Sequence, residues 1–413
     1  MNLLLDNVLT LLLLAAFVCA VCFAANGLFN HNALSRLATG STRQQPLVSI
    51  LIPCRNEQEH IEACLDSILE QKYSYLEILV LDDHSEDESA KFLSRYANEY
   101  DNVTIIQGSS LPEGWTGKNW ACHQLYVASR GDVLLYCDAD TQIGRDLIQD
   151  AVAELENRAL GFVSIFPERK STIVFDRWIW SFTSWVIASW VPLWLAYQTR
   201  LGVLAVGFGQ FLMLRRNAYE SIGGYEALRS NSLDDFEIAR RIQAAGIDWR
   251  VYSSGGRLTT AGYRSTKDAI EGYGKSIFPV LGRNGLTLFL AWLLLANVTW
   301  TPVILLTLEA LQLITITPDQ LQLASFCVMA ILISWAAAAV KLRISALTTL
   351  LYPVAITFVL YAAVTSYLGI RFGTMIWKDR IISETDDAMV QDPHVPEEHL
   401  DPASDTPASN SES

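Results

Sequence analysis

The sequence predicts an α/β domain with a mainly parallel sheet, flanked on both sides by apolar helical segments. Two observations predict it. From residue 47 onward, short β-branched runs alternate with amphipathic stretches, a βαβ rhythm that gives a parallel sheet covered on both faces. On either side of this region the patterning vanishes: residues 8–25 and most of 286–369 are apolar with brief polar breaks. The composition agrees, since 51% hydrophobic against 18% charged residues is apolar for a soluble enzyme.

Leu47 to Pro53 reads as a buried strand, Glu57 to Gln71 as a helix and Leu76 to Asp82 as the next strand. A helix over 86–99, a strand over 103–107, a helix over 118–129 and a strand over 133–137 continue the series. In such sheets ligands bind beyond the carboxyl ends of the strands. Polar clusters stand at those ends: Pro53-Cys54-Arg55-Asn56-Glu57, Asp82-Asp83-His84-Ser85 and Asp138-Ala139-Asp140. Farther on, Asp234-Asp235-Phe236-Glu237 opens a helix that runs through Arg240 and Arg241.

The first apolar block reads as a membrane anchor within residues 1–30, not a cleaved leader, because it is preceded by Asp6 and no basic residue. Arg36 and Arg43 follow it and place the domain at 45–270 on the cytoplasmic side. Three further candidates, 286–310, 322–340 and 346–369, make a C-terminal membrane region over 286–370 with two or three crossings. Asp319 in the break at 315–321 faces outward, and Lys341 and Arg343 fall inward. Arg371, Lys378 and Arg380 then conflict with a fourth crossing, so 346–369 either violates the charge rule or enters and returns. The expected location is the cell membrane, with several spans and a cytoplasmic catalytic domain.

Residues 174–198 hold five of the twelve tryptophans. A crossing there would separate the acids before it from those after it, so an amphipathic helix or hairpin lying in the interface is expected. The formal charge of -14 is concentrated at the end: nine acidic residues and no Lys or Arg lie within 381–413, leaving about -5 elsewhere. That segment reads as a disordered acidic tail, and nothing is basic enough for nucleic-acid binding. Seven scattered cysteines read as thiols of a reducing compartment.

The acids suggest chemistry. Two carboxylates spaced i, i+2 after a strand, as at Asp138 and Asp140, suit Mg²⁺ or Mn²⁺ carrying a diphosphate, and the cation neutralises charge on the leaving group. Asp83 could accept hydrogen bonds from a base or ribose; a capping box of Ser85 with Glu88 is the plainer use of that loop. Asp234 or Asp235 could deprotonate an acceptor hydroxyl, or simply favour the helix N-terminus. Gly114 and Gly117 mark a loop approaching ligand, with Lys118 available to a phosphate.

Together, from about Val48 to Arg264, these residues resemble family 2 glycosyltransferases of the GT-A fold. Leu111 to Trp120 and Trp377-Lys378 further resemble segments of hopene-associated and carotenoid glycosyltransferases. The resemblance implies inverting transfer from a nucleotide-sugar donor, with UDP as the nucleotide most of the family uses. It implies that Asp83, with Asp82 as the near alternative, contacts the base. Pro53, Arg55, Glu57, Lys118 and Asp138 would line the nucleotide, and Asp138 and Asp140 would hold the metal, Asp140 more directly. Asp235 would be the base with Asp234 as rival. Gly209 and Gln210, with an edge strand through Leu214, would border the acceptor, and Arg264 would close over the diphosphate. The Gln-x-x-Arg-Trp element of processive synthases is missing after Asp235, which favours transfer of one sugar to a lipid-like acceptor. A polyprenyl-phosphate glycosyltransferase, a processive polysaccharide synthase and a non-catalytic sugar-nucleotide-binding scaffold are the competing readings.

Overall fold

The computed structural model describes residues 3–282, 284–377 and 380–382. Its chain begins with helix α1 (Leu3–Ala33) and then enters the α/β domain. There β1 (Val48–Cys54), α2 (Ile61–Leu69), β2 (Leu76–Asp82), α3 (Ser89–Glu99), β3 (Val103–Gln107), α4 (Gly117–Ala128) and β4 (Val133–Tyr136) follow the expected order. Next come β5 (Thr141–Ile143), α5 (Leu147–Asn157), β6 (Phe162–Phe166), β7 (Glu168–Lys170), α6 (Val174–Ser189), α7 (Leu193–Ala196), β8 (Leu212–Arg215), α8 (Arg216–Ser221), α9 (Asp234–Ala244), β9 (Trp249–Ser253) and β10 (Leu258–Ala261). The C-terminal part is helical: α10 (Thr266–Val280), α11 (Gly285–Ala310), α12 (Pro318–Leu342), α13 (Ala346–Leu350) and α14 (Tyr352–Arg371).

The main sheet has the order β3-β2-β1-β4-β8-β6-β9, and β5-β10-β7 forms a small second sheet. β8 alone runs against its neighbours, pairing antiparallel with β4 and β6. The strand through Leu214 is therefore central, not at an edge as the sequence suggested. Its run Leu212-Met213-Leu214 is wholly buried, the continuous apolar pattern of a strand covered on both faces.

Strand alternation sorts the core. Ile50 and Ile52 face α2 and α3 through Leu65 and Leu93. Leu51, Leu134 and Tyr136 face α4 through Ala121 and Leu125, and this second core runs on into the apolar helices through Phe23, Trp185 and Trp335. The expected Ser85–Glu88 capping box does not form. Asp87 takes the role instead, accepting from Ser89 N at 2.9 Å, while Ser85 Oγ accepts from Asn56 N at 3.1 Å. The loops after β1 and β2 are thereby tied together.

Four helices are long and apolar enough to cross a membrane by length and composition: Asp6–Ala33, α11, α12 and α14. They share two ends. At one, Gln320 Nε2 donates to Asp6 O and Thr10 Oγ1 at 3.2 and 3.0 Å, and Ile316 N donates to Glu309 at 3.0 Å. The opposite end faces the α/β domain, where Arg343 pairs with Glu168 of β7 at 3.0 Å. The segment after Arg343 leaves from that domain end, and α14 returns to it. Its early residue Thr357 accepts from Trp300 Nε1, halfway along α11. Its late residue Ser366 accepts from Phe278 N and donates to the Gly274 carbonyl of α10. Tyr367 lies against Gly285, the first residue of α11.

The tryptophan segment folds as α6 and α7 with a turn at Pro192. Its sixteen-residue first helix packs one face on the apolar helices: Trp185 is buried, stacks on Trp335 with centroids 5.4 Å apart and donates to Ser334 Oγ at 2.6 Å. Trp190 and Trp194 stay exposed. The acidic tail lies outside the described residues from position 383; its first two positions instead pair as part of the strand Arg380–Ile382 with Met375–Trp377.

Candidate active site

The acids gather beyond the carboxyl ends of β1, β2 and β4, where α4, α9 and the loop before β8 converge. Lys118 stands at their centre. Its Nζ lies 3.1 Å from Asp138 Oδ1 and 3.5 Å from Asp234 Oδ2. Burial works against its charge, but Asp138 and then Asp234 outweigh it and raise the ammonium well above the ordinary lysine value. The side chain stays 41% exposed, so it is reachable from outside.

The motif around Lys118 explains how it is aimed. Thr116 caps α4, accepting from Asn119 N at 3.3 Å. Asn119, buried, donates through Nδ2 to Leu228 O and Asn231 O at 2.6 and 2.9 Å, which fixes the loop leading into α9. Trp115 and Trp120 pack edge-to-face at 5.1 Å; they are packing residues, and Gly114 turns the chain at φ 78°.

The paired acids of α9 take different positions. Asp234 is buried and accepts from Tyr225 OH at 3.0 Å. Asp235 is half-buried; its Oδ2 accepts from Gly209 N at 3.3 Å and its Oδ1 from Phe236 N at 2.8 Å. Burial, then the adjacent Asp234 charge, push Asp235 up to about 7 against the opposing pull of Lys118. Gln210, next along the same loop, donates to Asp138 Oδ2 at 3.1 Å. Two consecutive residues thus link the carboxylates of β4 and α9. A Cβ at Gly209 would lie 3.1 Å from Lys118 Nζ and 3.4 Å from Asp138, so a side chain there would displace the lysine.

Asp140 sits between β4 and β5, its Oδ2 accepting from Thr260 Oγ1 of β10 at 3.0 Å. Burial, then Asp138 and Glu57, push it up to about 6, with Arg169 and Thr260 pulling the other way. At the ends of β1 and β2, Asp82 is buried and accepts from Ser85 N at 3.0 Å, whereas Asp83 is half-buried and binds back through its main chain, N to Cys54 O at 2.8 Å. Arg55 Nη1 donates to the Asp83 carbonyl at 3.4 Å, and Glu57 N donates to Ser89 Oγ at 2.9 Å. Pro53 is the penultimate residue of β1. Arg264 lies at the exposed rim and pairs with Glu59 at 2.9 Å.

One arrangement has no trace in the sequence. Arg169 of β7 binds Asp176 of α6 through Nε at 2.9 and 3.1 Å, with Asp176 fully buried. Asp176 also accepts from Tyr263 N and Tyr273 OH, and Arg169 lies 4.4 Å from the Tyr263 ring centroid. This joins the tryptophan helix to the segment that carries Arg264. Nothing in Glu168-Arg169-Lys170, read as a string, marks it.

Residues 49–223 match the model of the family described as glycosyl transferase family 2. The chain carries a family 2 glycosyltransferase domain. Among curated relatives of this chain is a beta-monoglucosyldiacylglycerol synthase of Trichormus variabilis, 28% identical over 202 residues, which are 48% of this chain and 41% of the relative. A 4,4'-diaponeurosporenoate glycosyltransferase of Staphylococcus haemolyticus is 23% identical over 244 residues, 58% of this chain and 62% of the relative. The chain thus spans less than two thirds of the length of both. A solved structure, the mannosyltransferase PcManGT from Pyrobaculum calidifontis in complex with GDP-Man and Mn²⁺, aligns with 86% of this chain and 99% of its own at a TM-score of 0.51 and 19% identity. The glycosyltransferase domain has the GT-A fold.

The acids fit a hard divalent cation. Asp138 and Asp140 offer oxygen donors only, and the mutual repulsion that raises Asp140 is what a cation relieves. No cluster of three or more ligating side chains exists among the described residues. A Mg²⁺- or Mn²⁺-type site completed by phosphate and water needs only one or two carboxylates. Since a ligating carboxylate must be deprotonated, Mn²⁺ affinity should fall as pH drops through about 6. Thr260→Val removes a hydroxyl that favours the charged form, so this loss should begin at higher pH, with affinity at pH 6 reduced about threefold for ~1 kcal/mol of hydrogen bond. Titration calorimetry at two pH values checks this; an unchanged pH dependence would contradict the Asp140 assignment.

Proposed function

We propose that the protein transfers a single sugar, with inversion, from a nucleotide-sugar donor to a lipid-like acceptor at the cytoplasmic face of a membrane. The observation that carries this is the Gly209–Gln210 link, which holds an accessible, weakly acidic Asp235 beside Asp138. A carboxyl poised near neutrality suits a base, and a base fixed next to a diphosphate site can act across one anomeric carbon.

In this reading Asp235 removes the acceptor proton as the hydroxyl attacks opposite the leaving diphosphate. Asp234, tied to Tyr225 and Lys118, supplies the charge that raises Asp235 and is not itself the base. Asp138 and Asp140 would hold Mg²⁺ or Mn²⁺, which when bound stabilises charge on the departing diphosphate. Lys118 pairs with the same phosphates from the first turn of α4. Asp83 takes the base, because Asp82 is already engaged by Ser85 N. Pro53, Arg55 and Glu57 shape the wall beside it, and Arg264 closes the open rim. The lipid-related names of the two curated relatives support the acceptor class. So does a chain of rings from the base loop to the tryptophan helix: Phe208 to Phe166 at 4.8 Å, and Phe166 stacked on Trp180 at 5.1 Å. We place α6 and α7 in the interface, with exposed Trp190 and Trp194 at headgroup level.

The helix ends support three crossings, by α1, α11 and α12, with 344–371 entering and returning on the catalytic side. This puts Arg371 in the cytoplasm and removes the conflict with the charge rule there; Lys378 lies outside the described residues.

Asp235→Asn should lower kcat by roughly 10²–10⁴-fold, the span of a lost general base, while the donor dissociation constant stays unchanged. Equal loss of transfer and donor binding would contradict the assignment. For the topology, a C-terminal alkaline phosphatase fusion should be inactive and a C-terminal green fluorescent protein fusion bright in cells; an active phosphatase would show that α14 crosses.

A further inference from the structure

A second cavity lies away from the acids, at the junction of α1, α7 and the edge strand β9. Its volume is about 350 Å³, and its walls include Phe29, Asn32, Arg158, Trp194, Tyr197 and Arg250. Ligand cavities run from about 300 to 1,000 Å³, so this one suits a headgroup and not a nucleotide sugar.

Its chemistry is divided. Phe29 and Trp194 are 64% and 37% exposed with ring centroids 5.6 Å apart, and Trp194 Nε1 donates to Asn26 Oδ1 at 3.0 Å. These rings form an apolar lip between α7 and the last turns of α1. On the domain side stands Arg250, 4.1 Å from the Tyr197 ring centroid and donating to Trp249 O at 2.9 Å. Arg250 has no carboxylate partner among the described residues. The other cation, Arg158, is paired with Glu154, which also accepts from Tyr252 OH. A guanidinium with donors left over, fixed by ring stacking and facing the pocket, matches a phosphate. The pocket touches Ala33, where the first apolar helix ends, so on the membrane reading its mouth stands at headgroup depth.

We propose that this pocket binds the phosphate headgroup of an anionic membrane lipid, with Arg250 on the phosphate and Phe29 and Trp194 against the glycerol and first acyl carbons. The site is separate from the acceptor: none of its lining residues belongs to the acid cluster. A lipid held here would fix the depth of the β9 edge, and so of the whole sheet, against the bilayer. The proposal rests on the membrane reading above, and not on the assignment of the base.

The test uses the full chain in nanodiscs of phosphatidylcholine, with and without phosphatidylglycerol, with retained lipid counted by native mass spectrometry. Wild type should retain phosphatidylglycerol selectively. Arg250→Gln, which keeps a polar stem over Tyr197, should retain about fivefold less, the effect of one cation worth ~1 kcal/mol at an anionic surface. Arg43→Ala, at an exposed position outside the pocket, should retain as much as wild type. Equal losses in the two variants, or no loss in either, would overturn the pocket. Displacement of the lipid by free glycerol 1-phosphate would overturn the bilayer as the source. A chain that fails to enter nanodiscs would refute the membrane reading itself, and with it this site, whereas loss of transfer by Asp235→Asn tests the base alone.

Discussion

The crowding of negative charge around one lysine is the constraint on which the site depends. Asp138, Asp234 and Asp235 come from two elements far apart in sequence, and each would repel the others if ionised in a buried place. Lys118 relieves two of them directly, and the Gly209 N–H and Gln210 amide relieve what remains. The balance is left incomplete by the geometry: Asp234 has Tyr225 and Lys118, while Asp235 has, among the described residues, main-chain donors alone, and burial and Asp234 push it up to about 7. Asp140, farther from the lysine, keeps a repulsion that a divalent cation would remove.

The same site is tied mechanically to the apolar helices. One face of the sheet shares its core with α1 and α12, and Trp185 stacks on Trp335 within it. The buried Arg169–Asp176 pair links α6 to the Tyr263 segment, and Thr260, three residues earlier, holds Asp140. A buried pair of this kind is costly to break, because removing one partner strands the other's charge. Its position ties the tryptophan helix, Asp140 and the segment that carries Arg264 together.

Much of this was legible in the sequence because short-range patterns encode it. Strand alternation gave the sheet, and the order of acids at strand ends gave the cluster, since strand ends lie together in any parallel sheet. The paired acids could not be told apart by position, because only burial separates Asp234 from Asp235, and Asp82 from Asp83. Central placement of β8 was missed because its partners, β4 and β6, are set by long-range pairing that no local run of Leu212-Met213-Leu214 specifies. The capping box failed because Asp87 and Ser85 are both competent side-chain acceptors, and cross-loop bonds from Asn56 N and Gln58 N decide between them. The Arg169–Asp176 pair was invisible for the same reason: it exists only through contacts between elements.

In the proposed reaction Asp235 is a base whose proton affinity is set by burial, Asp234 and Lys118. The most direct measurement is the pH dependence of kcat/KM in wild type and Lys118→Met. Asp235 raised to about 7 predicts that activity falls on the acid side below about pH 7, tenfold per pH unit. Removing Lys118 deletes a charge that favours the carboxylate, so the acid limb must move to higher pH, whatever happens to the maximal rate. An acid limb that stays in place or moves to lower pH without Lys118 would contradict it.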